Sequence, residues 1–199
     1  MGRGRAVRLF AGLPLPPDVA DSLARALAPA RARSPGARWV PAENHHVTLR
    51  FFGELDDAAR AVVSELLDSK ELLCPVISCR LGAAGQFPAQ GAPRVLWVGL
   101  EKGAAEVHAL WENLSHMLAP LEKAGGPLQG LPRENRGFIP HITLARAGNA
   151  SIRPGWVEGV IIPAVDFVIA EWILYQSLLC SEGVRYVPLK RVPLLKGAS

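Results

Sequence analysis

The sequence predicts an α+β fold of two related lobes, and three observations carry that prediction. The pattern His-x-Thr-Leu is written twice, at residues 46–49 and 141–144, each time inside an apolar, β-favouring run. Strand-like and helix-like segments recur in a similar order around each copy. Of the 199 residues 49% are hydrophobic and 20% charged, which suits a chain that buries a sizeable core rather than a disordered one.

Residues 6–13 read as a first strand. Pro16, Pro17 and Asp18 then start a helix whose Val19, Leu23, Ala26, Leu27 and Ala30 recur at helical spacing, and which ends between Pro29 and Pro35. The segment "RWVPAENHHVTLRFFGEL" is extended, with Gly53 expected to stop it. Asp56 and Asp57 place negative charge at the start of a second helix striped by Ala59, Val62, Val63, Leu66 and Leu67. "VISCRLG" and "RVLWVGL" are two strands separated by the loop "AAGQFPAQGAP". A long helix follows, faced by Val107, Leu110, Trp111, Leu114, Leu118 and Leu121 and closed by Gly125-Gly126-Pro127. After an irregular loop at 125–137, "FIPHITLARAG" is the second extended motif. Strands at about 164–180 and 184–192, turning at Gly183, complete the chain. Residues 1–199 are thus expected to form a single domain of two lobes; two copies are too few for a solenoid.

A net charge of +4 favours a polyanionic partner weakly. Cys74, Cys79 and Cys180 are odd in number and lack C-x-x-C spacing, so neither a disulfide framework nor a zinc knuckle is suggested and a reducing cytoplasm is expected. The N-terminal run alternates and breaks at Pro14, Pro16 and Pro17, unlike a secretory signal. Asp166 and Glu171 interrupt the longest apolar tract, so no membrane span is expected.

Residues i and i+2 of a strand share a face, so His46 with Thr48, and His141 with Thr143, point one way while their apolar neighbours point inward. Two lobes related by an approximate twofold axis would bring both faces to one cleft. Histidine titrates nearest neutral pH, so a pair can supply one acid and one base in the same turnover. Phosphodiester cleavage needs that pairing, and threonine hydroxyls and arginine can hold the non-bridging oxygens. Parity points Arg50, at i+4 from His46, into the cleft. It points Arg146, at i+5 from His141, away, unless a bulge or strand end follows Thr143. No Asp, Glu or Cys lies at ligand spacing from either motif, so no metal is expected.

The pair "HHVTLRF" and "HITLAR", with the flanks "RWVPAENHHVTLRFFGEL" and "LYQSLLCSEGVRYVPL", resembles the 2H phosphoesterases over almost the whole chain, and the RNA 2′,3′-cyclic phosphodiesterases (2′-5′ RNA ligases) in particular. The resemblance implies two pseudo-symmetric lobes whose antiparallel sheets line a central cleft, with helices outside. It also implies cofactor-free, metal-independent opening of a terminal 2′,3′-cyclic phosphate to a 2′-phosphomonoester. By position it makes His46 the donor to the leaving O3′ and His141 the acceptor that activates water. Thr48, Thr143 and Arg146 would hold phosphate. The implied partner is RNA with cyclic phosphate ends, or cyclic nucleotides, with no membrane and no obligate protein partner. Reversible 2′-5′ ligation, a sibling specificity, and a binding module without turnover are the alternatives; matched acid and base residues argue against the last.

Position 45 is His where the family commonly has an apolar residue, and it faces the opposite side of the strand, toward packing or surface. His108 and His116, on the long helix, read as solvated or capping residues. Tyr186, Trp39 and Phe87 could stack a base but read as core or rim aromatics. Arg133 and Arg136 could steer RNA, though a solvated loop is the simpler reading.

Overall fold

The computed structural model describes residues 6–132, 137–148, 152–157, 159–181 and 183–195; Arg133 and Arg136 lie outside them. Strand β1 (Val7–Pro14) leads into helices α1 (Pro17–Ala26) and α2 (Ala28–Arg33), then β2 (Arg38–Trp39), β3 (His46–Leu55) and α3 (Asp57–Leu66). Strands β4 (Ile77–Phe87) and β5 (Val95–Lys102), helix α4 (Ala104–Leu121) and β6 (His141–Arg146) follow. β7 (Asp166–Ile169), β8 (Glu171–Cys180) and β9 (Gly183–Pro193) close the series.

Local chemistry explains these boundaries. Pro17 stands in the first turn of α1, where its missing N–H costs nothing. The Asp56 carboxylate caps α3 by accepting from the Ala59 amide at 2.9 Å, a contact worth about 1 kcal/mol. Five elements differ from expectation, the first being the extended run at 38–55, which a 3-10 turn at Ala42–Asn44 divides into β2 and β3. The first helix breaks at Leu27 into α1 and α2. β3 runs through Gly53, which takes φ 74°, to Leu55. β4 continues to Phe87, because "AAGQF" pairs with β5 instead of looping. The expected strand at 164–180 is two, β7 and β8, divided at Ala170.

The sheet is antiparallel, ordered β7-β4-β5-β6-β3-β1-β8-β9, with β2 paired to β6. The order runs outward similarly from the β6–β3 junction: each motif strand meets a neighbour from its own half, then a second and a third. One face buries Leu9, Ala11 and Leu13 of β1, Val47 and Leu49 of β3, Leu96 and Val98 of β5, and Ile142 and Leu144 of β6. Leu23, Val63, Leu110 and Leu114 from the helices pack into the same core, so the opposite face of the motif strands is left for a cleft. The sheet also curls: β7 and β8 stand first and seventh in the order, yet Ala170 alone joins them. Among the described residues no helix is long and apolar enough to cross a membrane.

Candidate active site

The two motif strands meet antiparallel at Val47 and Ile142. Carrying that register one residue each way sets His46 opposite Thr143 and Thr48 opposite His141. Val47 and Ile142 are core residues, so by alternation all four polar side chains rise from the other face. The histidines then stand on a diagonal, about 7–8 Å apart at the backbone. The predicted convergence rests on this one pairing.

Both imidazoles are oriented by the same local contact. His46 Nδ1 donates to the carbonyl oxygen of Asn44 at 2.7 Å, and His141 Nδ1 donates to that of Ile139 at 2.7 Å. A carbonyl can only accept, so each contact fixes the proton on Nδ1 in the neutral ring and makes Nε2 the exchanging nitrogen. His46 Nε2 lies 3.0 Å from the Thr48 hydroxyl.

Two bulges decide where the arginines go. On β6, Leu96 of β5 pairs with Ala145 and Trp97 with Thr143, so Leu144 is an extra residue and both Leu144 and Ala145 are buried. Parity is thereby reversed, and Arg146 rises beside His141 and Thr143. The bulge that sequence parity required is present. On β3, Ala11 of β1 pairs with Arg50 and Gly12 with Thr48, so Leu49 is extra in the same place. Here the bulge corrects an expectation: Arg50 turns away from the cleft. It is 8% exposed, ion-paired to Glu122 at 2.7 Å, and donates to the Pro132 carbonyl at 2.9 Å. On β3 the counterpart of Arg146 is instead Phe51, whose ring lies 5.6 Å from that of Phe10.

Aromatic rings wall the cleft on both sides. Phe10 lies 4.8 Å from the His46 ring, Tyr175 stacks on Phe10 at 5.0 Å, and Tyr186 meets His46 edge-on at 5.2 Å. Phe87 meets His141 edge-on at 5.2 Å, and Trp97 lies 6.0 Å from it. Tyr186 and Phe87 are therefore rim aromatics beside the histidines. Phe10, Tyr175 and Trp97 escaped sequence reasoning, because they reach the site only through strand pairing. Trp39 is elsewhere: its indole N–H donates to the Ser34 carbonyl, and Arg31 lies over its ring.

The equivalent bulges also expose an asymmetry, since Gly12 opposite Thr48 corresponds to Trp97 opposite Thr143. A Cβ on Gly12 would stand 3.1 Å from His46 Cδ2, so glycine leaves the room in which that ring lies. Gly12→Ala is expected to displace the imidazole by a few tenths of an ångström and lower kcat by about tenfold with the fold retained. Steady-state kinetics alongside circular dichroism would check this.

Burial holds the His46 pKa down at about 4, reinforced by the positive surroundings of His45, Arg146 and His141, while the Asn44 carbonyl opposes the shift. The residue as a whole is half-buried, crowded by its neighbours but not sealed from solvent. Burial likewise lowers His45 to about 4, with Arg31 adding to the effect. His45 is 3% exposed; the Val40 and Ala20 backbones lie near it, yet neither ring nitrogen completes a well-formed hydrogen bond. It is a packing residue, one of the two placements, packing or surface, that its side of the strand left open. His108 on α4 sits 3.6 Å from Glu112 at the surface. Among the described residues no group of three or more His, Cys, Asp or Glu is placed to hold a metal.

Comparison with known proteins agrees with this geometry. Residues 13–97 match the LigT like Phosphoesterase family. The chain is 31% identical over 161 residues to an RNA 2′,3′-cyclic phosphodiesterase of Aeropyrum pernix, covering 78% of this chain and 85% of that protein. It is 27% identical over 188 residues to one of Geobacillus stearothermophilus, covering 94% of this chain but 57% of that longer protein. The crystal structure of TT0787 of Thermus thermophilus superposes with a TM-score of 0.81 at 28% identity, covering 96% of this chain and all of that one. Paired His-x-Thr strands, a shared fold and matched sequence converge: the chain belongs to the LigT-like phosphoesterase family.

Proposed function

We propose that the chain hydrolyses the 2′,3′-cyclic phosphate ends of RNA to 2′-phosphomonoesters by two-histidine acid–base catalysis without a metal. The observation that carries this reading is the pair of imidazoles whose Nδ1 atoms are each pinned by the carbonyl two residues back, which leaves Nε2 of each ring to exchange the proton. Water attacks phosphorus as His141 Nε2 takes its proton, the P–O3′ bond breaks, and protonated His46 Nε2 delivers a proton to O3′. Phosphate stays on O2′. Thr48 and Thr143 donate to the non-bridging oxygens and Arg146 adds charge-assisted contacts. In the free protein Thr48 is engaged with His46 Nε2, so substrate takes over that contact.

Neutral His46 fits an acid role once substrate binds: burial chiefly holds its pKa down, its positive neighbours add to this, and an anionic phosphate beside the ring favours the imidazolium. The free thiols of Cys74, Cys79 and Cys180 suit a reducing cytoplasm. Residues 1–199 act as one domain of two lobes, since the site takes one motif strand from each half.

The test is direct. In excess EDTA the purified protein is expected to convert RNA ending in a 2′,3′-cyclic phosphate to the 2′-phosphate, read by chromatography against both isomers. Loss of turnover on chelation would remove the metal-free claim, and a 3′-phosphate product would reverse the leaving-group assignment.

A further inference from the structure

The cleft face of β1 carries Arg8, Phe10 and Gly12, because Val7, Leu9, Ala11 and Leu13 on the alternate face supply the core. Gly12 lies against His46. Arg8 stands four residues farther along, about 13 Å at roughly 3.3 Å per residue. That is too far for the scissile phosphate, which Arg146 serves, and suits a phosphate farther along a strand. The span between is walled by the half-buried rings of Tyr175 and Tyr186, which rest at 5.0 and 4.8 Å on a Phe10 that is itself buried. Such rings accept the flat faces of nucleosides regardless of sequence. Arg8 and Arg146 both act electrostatically on the Tyr186 hydroxyl, so the two guanidinium groups share this wall. Arg8 is exposed and, among the described residues, forms no ion pair, even with Glu54 across the ladder.

We propose that Arg8 binds the phosphodiester on the 5′ side of the terminal nucleoside, so that the site selects the end of an RNA strand over a cyclic mononucleotide. This rests on the hydrolytic reading above. A nucleoside 2′,3′-cyclic monophosphate ends in a 5′-hydroxyl and offers Arg8 no charge; any RNA end offers one.

The experiment compares wild type, Arg8→Ala and Arg8→Lys on a trinucleotide ending in a 2′,3′-cyclic phosphate and on a nucleoside 2′,3′-cyclic monophosphate. Arg8→Ala should lower kcat/KM about tenfold on the trinucleotide and leave the mononucleotide unchanged, with Arg8→Lys retaining most activity. The salt dependence on the trinucleotide should lose about one phosphate contact. An equal loss on both substrates, or none on the trinucleotide, overturns the assignment. A parallel arm measures Kd for a trinucleotide bearing a 3′-phosphate. If wild type turns over neither substrate, the hydrolytic reading fails, and tighter trinucleotide binding by wild type than by Arg8→Ala still upholds Arg8, whereas equal binding rejects it.

Discussion

His46→Ala and His141→Ala are each expected to lower turnover of a 2′,3′-cyclic phosphate end by a factor of about 10²–10⁴ while leaving the fold intact. Neither ring is a large part of the core. His46 sits on the cleft face among Phe10, Tyr175 and Tyr186, and His141 among Phe87 and Trp97. Removing either leaves the pairing of Val47 with Ile142 in place. Unchanged thermal melting beside the kinetic loss would separate proton transfer from architecture, and a wild-type rate for either variant would make that histidine structural. The native pH profile should be bell-shaped, with an informative displacement. In the free enzyme His46 is held down at about 4, so above that pH it is neutral. Bound phosphate favours the imidazolium and raises that value, so the alkaline limb of kcat should lie at higher pH than that of kcat/KM. Coincident limbs would mean that substrate does not charge His46.

Arg146→Ala is expected to lower kcat by about 10²–10³, the scale on which one donor to a developing oxyanion acts. Arg146→Lys should recover only part, because an ammonium keeps the charge and loses the planar fork. Arg50→Ala is the contrasting case despite its place just after the first motif. It strands Glu122, whose side chain is 13% exposed, without its cation and frees the Pro132 carbonyl. Its main effect should be a stability loss of about 3 kcal/mol, read by denaturant unfolding, rather than a change in chemistry. If Arg50→Ala proved the more damaging to kcat at full stability, the bulge assignment would be reversed.

The contrast between the arginines marks where the sequence stops being readable. His46, Thr48, His141 and Thr143 were legible because they precede the bulges, and alternation holds from His to Thr on both strands. Leu49 and Leu144 are the inserted residues, and neither carries a local signal such as glycine or proline. A leucine looks the same in a ladder as in a bulge, so parity sent Arg50 inward and Arg146 outward, and the backbone does the reverse. Helices α3 and α4 were legible from caps and apolar stripes. The division of 164–180 was not: Asp166 to Cys180 reads as one strand until the pairing of β7 with β4 and of β8 with β1 separates it. Phe10 and Tyr175 likewise needed the ladder, being 165 positions apart (175 − 10).

Ala170 bears on how the site can move. It ties the outermost strand of one half-sheet to an inner strand of the other, and its carbonyl accepts from the Leu194 amide at 2.8 Å. The two half-sheets are thus held at two places, the ladder between the motif strands and the Ala170 link, and any change in the gape of the cleft has to be accommodated at both.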